Sequence, residues 1–198
     1  MPQNSLSGRV QLAPQMPGAA SYLWGVEIPA PTFRAATTAD VPALTTLINR
    51  AYRGEASQAG WTAEGHLLAG PRIDGATLLE LLAAPAAVLL VAELRQQPAG
   101  CVYLENHGNY LYLSLLTVAP TAQAHGLGRQ LLAQAEAHAR QAGCVTIKMS
   151  VLAQRAELLA WYERRGYCRT GASEPFPATT RFGQPRQALT LLTLEKII

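Results

Sequence analysis

Cysteine is scarce in this chain, and what there is carries no pattern. Three residues, Cys101, Cys144 and Cys168, stand singly in or beside strand-like segments. No Cys-x-x-Cys pair or Cys/His spacing suggests zinc or any other metal, and an odd count argues against a disulfide framework. Buried free thiols in a reducing compartment are expected. Long apolar runs are missing too: the longest, 81–92, is broken by Pro85 and is too short to span a bilayer. Residues 1–30 lack a basic start followed by an apolar stretch, so no signal peptide is expected. The basic residues, nearly all arginine, never gather into runs. A net charge of +3 is too small and too dispersed to suggest nucleic acid. These absences leave a soluble, cytoplasmic protein with neither membrane nor nucleic acid as a partner.

What is present reads as one domain with a full core: 198 residues, 49% hydrophobic and 15% charged, is ordinary globular material. Residues 1–31, with five prolines among small and polar residues, read as an extended arm with little structure. Trp24, Val26 and Ile28 could form a brief strand there. The domain proper is expected over 32–198. A strand at 32–35 leads to a helix capped at Thr38 or Asp40, with Leu44, Leu47, Ile48 and Tyr52 at helical spacing. A long connection follows, with a short helical piece possible at 62–68, then a helix over 76–84. From Val88 the period changes to two. VLLVAEL, AGCVYLE and NYLYLSLLTV predict three antiparallel strands with turns at Gln97-Pro98 and His107-Gly108-Asn109. A helix over 128–142, a strand over 144–151, a helix ending at Gly166 and strands at 167–170 and 187–194 complete a mixed α/β fold.

The stretch 118–132, VAPTAQAHGLGRQLL, joins the third of those strands to the Ala/Leu helix. The first turn of a helix leaves backbone N–H groups without partners and carries the positive end of the dipole. Gly126 and Gly128 allow close approach of a bulky anion. No acid precedes Glu136, and Arg129 stands in the first turn, so the negative partner is expected to be a ligand. The stretch does not match GxGxxG and lacks the Lys and Ser/Thr of a P-loop. It does match Q/R-x-x-G-x-G/A after a V-x-P strand end.

On these residues the sequence resembles the GNAT superfamily of N-acetyltransferases, over about residues 32–195. The resemblance implies acetyl-coenzyme A as cosubstrate, with no metal. It also implies a central mixed sheet of about six to seven strands, an antiparallel meander followed by a splayed parallel pair, flanked by about four helices. The coenzyme pyrophosphate would be held by Gln123, Ala124, His125, Gly126, Leu127, Gly128 and Arg129. Its pantetheine arm would pair with the main chain of Leu116, Thr117 and Val118, much as an added strand does.

A second motif, Trp161-Tyr162-Glu163-Arg164-Arg165-Gly166-Tyr167, is similar to the family's F-Y-E-K-x-G-F. It makes Tyr162 the expected general acid for the departing thiolate, since a phenol with an ordinary pKa near 10 is protonated at neutral pH. Where many members carry Asn, seven residues before this Tyr, the chain has Arg155, which would contact the coenzyme or face solvent. The family's usual strand acid is also missing, because 109–118 contains none. Glu64 and Glu105, reached through water, are the candidates for accepting the amine proton. Trp61, Glu64 and Arg72 of the long connection, with Tyr112 and Ser114, are candidate acceptor contacts; a Trp–Glu pair can hold an ammonium.

The activity implied is direct acetyl transfer to a primary amine of a small molecule or peptide, by a monomer or homodimer. The other reading is a non-catalytic acyl-coenzyme A-binding sensor or scaffold.

Overall fold

The computed structural model describes residues 21–23, 26–28, 30–54, 63–123 and 126–198. Two short strands of the expected arm, β1 (Ser21–Leu23) and β2 (Val26–Ile28), pair antiparallel. The body begins at β3 (Thr32–Ala35). Helix α1 (Val41–Arg53) has Asp40 at its N-cap and Pro42 in its first turn. It buries Leu44, Leu47, Ile48, Ala51 and Tyr52, the stripe its spacing predicts. The connection then carries β4 (Leu68–Ala69) where a helical piece seemed possible. Helix α2 (Gly75–Ala83) is capped by Asp74, whose carboxylate accepts from the Thr77 N–H.

Strands β5 (Ala87–Leu94), β6 (Gln97–Asn106) and β7 (Tyr110–Val118) form the expected meander. The β5–β6 turn, however, sits at Arg95-Gln96, both with positive φ. Such a turn usually announces itself by Asn-Gly or Asp-Gly, so its place was not legible. Helix α3 (Leu127–Gln141), strand β8 (Thr146–Leu152), helix α4 (Ala156–Glu163), strand β9 (Cys168–Pro175), the two-residue β10 (Gln184–Pro185) and β11 (Thr190–Ile197) follow.

Seven strands make one sheet in the order β3-β5-β6-β7-β8-β11-β9, antiparallel except for β7 and β8. This is the mixed α/β, GNAT-like sheet expected, with four α-helices among the described residues. One core lies against α3 and α4, a second lies under α1 and α2, and a small third cluster joins Leu67, Leu68, Leu152 and Leu189. Gly100 permits the close seat of α3, since a Cβ there would come within 3.0 Å of Leu131 and 2.8 Å of the Thr117 carbonyl. Cys101 and Cys144 are buried as expected, but Cys168 is exposed, because β9 is an edge strand with every residue exposed.

Candidate active site

Two departures from regular sheet create the site, and both involve β7. The parallel ladder with β8 holds only at Tyr110–Thr146, Leu111–Ile147 and Tyr112–Lys148. Beyond Tyr112 the two strands part. Further along, Thr117 faces Cys101 and Ser114 faces Tyr103, so Leu115 and Leu116 together occupy one step of the ladder. Leu115 takes φ +50° to do so, a left-handed conformation costly for a branched side chain. The bulge reverses the alternation. Leu111 and Leu113 belong to the core beneath α3, and so do Leu116 and Val118, while Leu115 joins the opposite core. An unbroken period of two would set Leu116 on the face of Tyr112 and Ser114, and the extra residue moves it to the other.

The gap is a cavity of about 390 Å³. Its wall draws on both sides of the sheet: Tyr52 and Leu81 from the helices of one face, Leu158 and Tyr162 from α4 on the other. Glu64, Arg72, Tyr112 and Ser114 line it as well, so five of the side chains singled out in the sequence meet there. Tyr162 is buried and stacked edge-on between Trp161 and Tyr167, at centroid distances of 5.0 and 5.7 Å. Burial pushes its phenol well above the ordinary value, with the neighbouring Tyr52 and Tyr167 adding to the shift.

Glu64 sits between two guanidiniums, 2.9 Å from Arg53 Nη1 and 3.6 Å from Arg155 Nη1. Arg155, buried at the N-cap of α4, is thus turned towards Glu64. Arg53 also donates to the carbonyls of Gly70 and Phe182, and so joins the connection to the 176–187 loop. The β4–β10 pair reinforces that junction. Glu105 lies elsewhere: it faces Tyr112 across the β6–β7 ladder, half-exposed, 3.7 Å from His107 Nε2, and does not line the cavity.

At the far end of β7 the chain turns through Gly126, φ +76°, into α3. The first turn of α3 holds no acid. Among the described residues, a Cβ on Gly126 would meet nothing closer than Arg129 Nη2, at 3.7 Å. Gln123 folds back to donate to the Val118 carbonyl. Leu116, Thr117, Val118, Leu127 and Gly128 are buried, and Arg129 is exposed. Arg165 lies 3.6 Å over the Trp161 ring. Its pKa is lowered by burial first, then by the charges of Arg164 and Arg129. Trp61, Ala124 and His125 lie outside the described residues.

The family model for the acetyltransferase (GNAT) family matches residues 43–167, more than half of the chain. The chain belongs to the GNAT acetyltransferase family. Among curated proteins, an "IAA acetyltransferase" of Azospirillum brasilense is 30% identical over 100 residues. That match takes in 50% of this chain and 65% of the relative, so the chain spans about two thirds of its length. Of solved structures, the ribosomal-protein-alanine N-acetyltransferase of Brucella melitensis is 26% identical with a TM-score of 0.60, over 84% of this chain and 99% of that one. The PaiA N-acetyltransferase of Thermoplasma acidophilum, solved with coenzyme A, superposes with a TM-score of 0.62 over 86% of this chain and 100% of its own, at 16% identity.

Tyr52, Arg53 and Phe182 are the site residues that sequence reasoning missed. Tyr52 and Arg53 end α1, where they read as a core position and a solvated one. The signal available was the AYRGE stretch itself, with a phenol and a guanidinium side by side at a helix end. Phe182 stands in a Pro/Gly-rich loop with no period to place it.

Proposed function

We propose that this GNAT member transfers an acetyl group from acetyl-coenzyme A directly to a primary amine of a small molecule or peptide. The parting of β7 and β8 beyond Tyr112 is the observation that carries the reading. It opens a slot whose edge is the Leu115–Leu116 main chain and whose wall includes Tyr162. The chain's own features fit the coenzyme. A left-handed glycine, with no described atom closer than 3.7 Å to where its Cβ would lie, caps α3, Arg129 stands in the first turn, and a strand edge parted from β8 suits an amide-bearing arm. Likeness to N-acetyltransferases, one at 26% identity and one solved with coenzyme A, supports the same donor and acceptor chemistry.

When bound, acetyl-coenzyme A supplies the thioester, whose acetyl carbon bonds to the acceptor nitrogen as its bond to sulfur breaks. Tyr162 holds the proton that the leaving sulfur takes. Its burial keeps that proton in place throughout the physiological range, and the strained turn at Leu115 fixes the strand edge beside it. Of the two acids expected from the sequence, Glu64 is on the cavity wall and Glu105 is not, so of that pair Glu64 is the one placed to take the amine proton through water. The pyrophosphate would lie on Gln123 to Arg129, with Leu116, Thr117 and Val118 beside the arm.

Calorimetry with acetyl-coenzyme A, paired with free-thiol release over a panel of amines, tests this. Binding with amine-dependent thiol release is expected. Binding with no turnover on any amine would favour an acyl-coenzyme A sensor, and no binding would overturn both.

A further inference from the structure

We propose that the acceptor amine carries a carboxylate close to its nitrogen, as an amino acid does, and that Arg72 recognises it. The inference rests on the acetyl-transfer reading and adds the substrate class.

Arg72 lines the cavity and is held there from both its backbone and its side chain. The Asn49 carboxamide accepts from the N–H groups of Arg72 and Ile73, at 2.6 and 3.2 Å, and donates to the Ile73 carbonyl at 2.8 Å. The guanidinium carbon lies 5.3 Å from the ring centroids of both Tyr52 and Phe182. Such cation–π contacts hold the guanidinium in place and use none of its N–H donors, which keep the fork that fits a carboxylate. Of the neighbouring acids, Glu64 is committed to Arg53 and Arg155. Glu174, the other acid on the wall, is on the exposed strand β9. Neither forms an ion pair with Arg72, and no other described carboxylate does so.

The position suits an acceptor contact. Tyr52, one of the two rings beneath the cation, also donates to the Leu116 carbonyl at 2.9 Å. One aromatic ring therefore separates the guanidinium from the strand edge proposed to hold the thioester. An acceptor filling that interval is small, with its anionic group near its amine. With Glu64 neutralised from two sides, a polyamine would bring like charge against Arg72. An amino acid would place its carboxylate on the fork and its amine towards the slot.

The test compares, for each of several side chains, the amino acid, its carboxamide and the decarboxylated amine, together with a polyamine. Thiol release gives kcat/KM, and calorimetry gives coenzyme affinity independently. Amino acids are expected to exceed their carboxamides and amines at least ten-fold. Arg72→Gln should erase that preference through KM, Arg72→Lys should retain part of it, and both should bind coenzyme as the parent does. Equal rates for acid and carboxamide in the parent protein, or an undiminished preference in Arg72→Gln, would overturn the assignment. If no amine is turned over, ligand-observed NMR on the parent protein with coenzyme A compares N-acetylamino acids with their amides. Carboxylate-dependent binding would then uphold the Arg72 pocket while rejecting acetyl transfer, and its absence would reject the pocket itself.

Discussion

The Tyr52 hydroxyl donates a 2.9 Å hydrogen bond to the carbonyl of Leu116, sixty-four positions away and fully buried. It ties the end of α1 to the bulged step of β7, next to the residue at φ +50°. A buried carbonyl left without its donor carries a desolvation cost. Tyr52→Phe should lower unfolding free energy by about 1–3 kcal/mol and loosen the edge beside the slot. Urea denaturation measures the first effect, and a weaker coenzyme affinity reports the second. An unchanged urea midpoint would show that water or a relaxed bulge replaces the bond.

Glu64 separates two roles cleanly. As the carboxylate between buried Arg53 and Arg155, it should behave as an anchor, and removing one member of a buried ionic set costs about 3–5 kcal/mol. Glu64→Gln is expected to lose stability on that scale in chemical denaturation. Normal stability with turnover reduced more than ten-fold would instead make its proton-accepting role the dominant one. Glu105→Gln, at a half-exposed site, should change stability by less than about 0.5 kcal/mol.

Burial fixes the alkaline behaviour. The Cys101 thiol and the Tyr52 phenol are each pushed up to about 12 by burial, and Tyr162 is raised as well. In the unfolded chain these groups ionise near 8.5 and 10, while in the fold they stay neutral. Above those values the unfolded state has lost protons that the folded state keeps, so stability falls as pH rises towards 12. Urea midpoints should decline from pH 8 to pH 10.5, and less steeply in Cys101→Ala. A flat profile would mean that these groups ionise equally well in the fold.

Tyr162→Phe keeps the ring that packs between Trp161 and Tyr167 and removes only the hydroxyl. Turnover should drop by about a hundred-fold or more, the usual scale for losing a general acid, while coenzyme affinity changes little. With the phenol raised, the parent enzyme's rate should show no downturn from this group below pH 10. Equal rates of parent and variant across the pH range would remove Tyr162 from the chemistry.

Gly126→Val places a β-branched residue at φ +76°, a conformation costing about 1–3 kcal/mol, and sets its side chain on the proposed pyrophosphate turn. Coenzyme affinity should fall at least ten-fold by calorimetry, with the fold retained by circular dichroism. Unchanged affinity would sever the glycine turn from the pyrophosphate.

Much of this was legible in the sequence because it was local. The meander from Val88, the glycine turn into α3 and the helix carrying Trp161 and Tyr162 each announce themselves within a few residues, through period, turn chemistry and motif. What was not legible depends on distance or on strain. Nothing around Leu115 signals a left-handed step, and an unbroken period of two would put Leu116 on the wrong face. Glu64 meets Arg53 and Arg155 only because the connection folds over α1 and the start of α4, and no spacing encodes that. Arg72 gains its aromatic neighbours from α1 and from a loop more than a hundred residues further on. The proposed donor side of the site is built largely from contiguous motifs, and the proposed acceptor side is assembled from separate loops.

The most direct test of the account is a crystal structure with acetyl-coenzyme A bound. The account predicts the pantetheine arm between the diverging ends of β7 and β8, hydrogen-bonded to the 116–118 main chain, with the pyrophosphate on the Gly126 turn and the sulfur within reach of the Tyr162 hydroxyl. A coenzyme seated outside the β7–β8 gap, or one whose sulfur lies away from Tyr162, would contradict it.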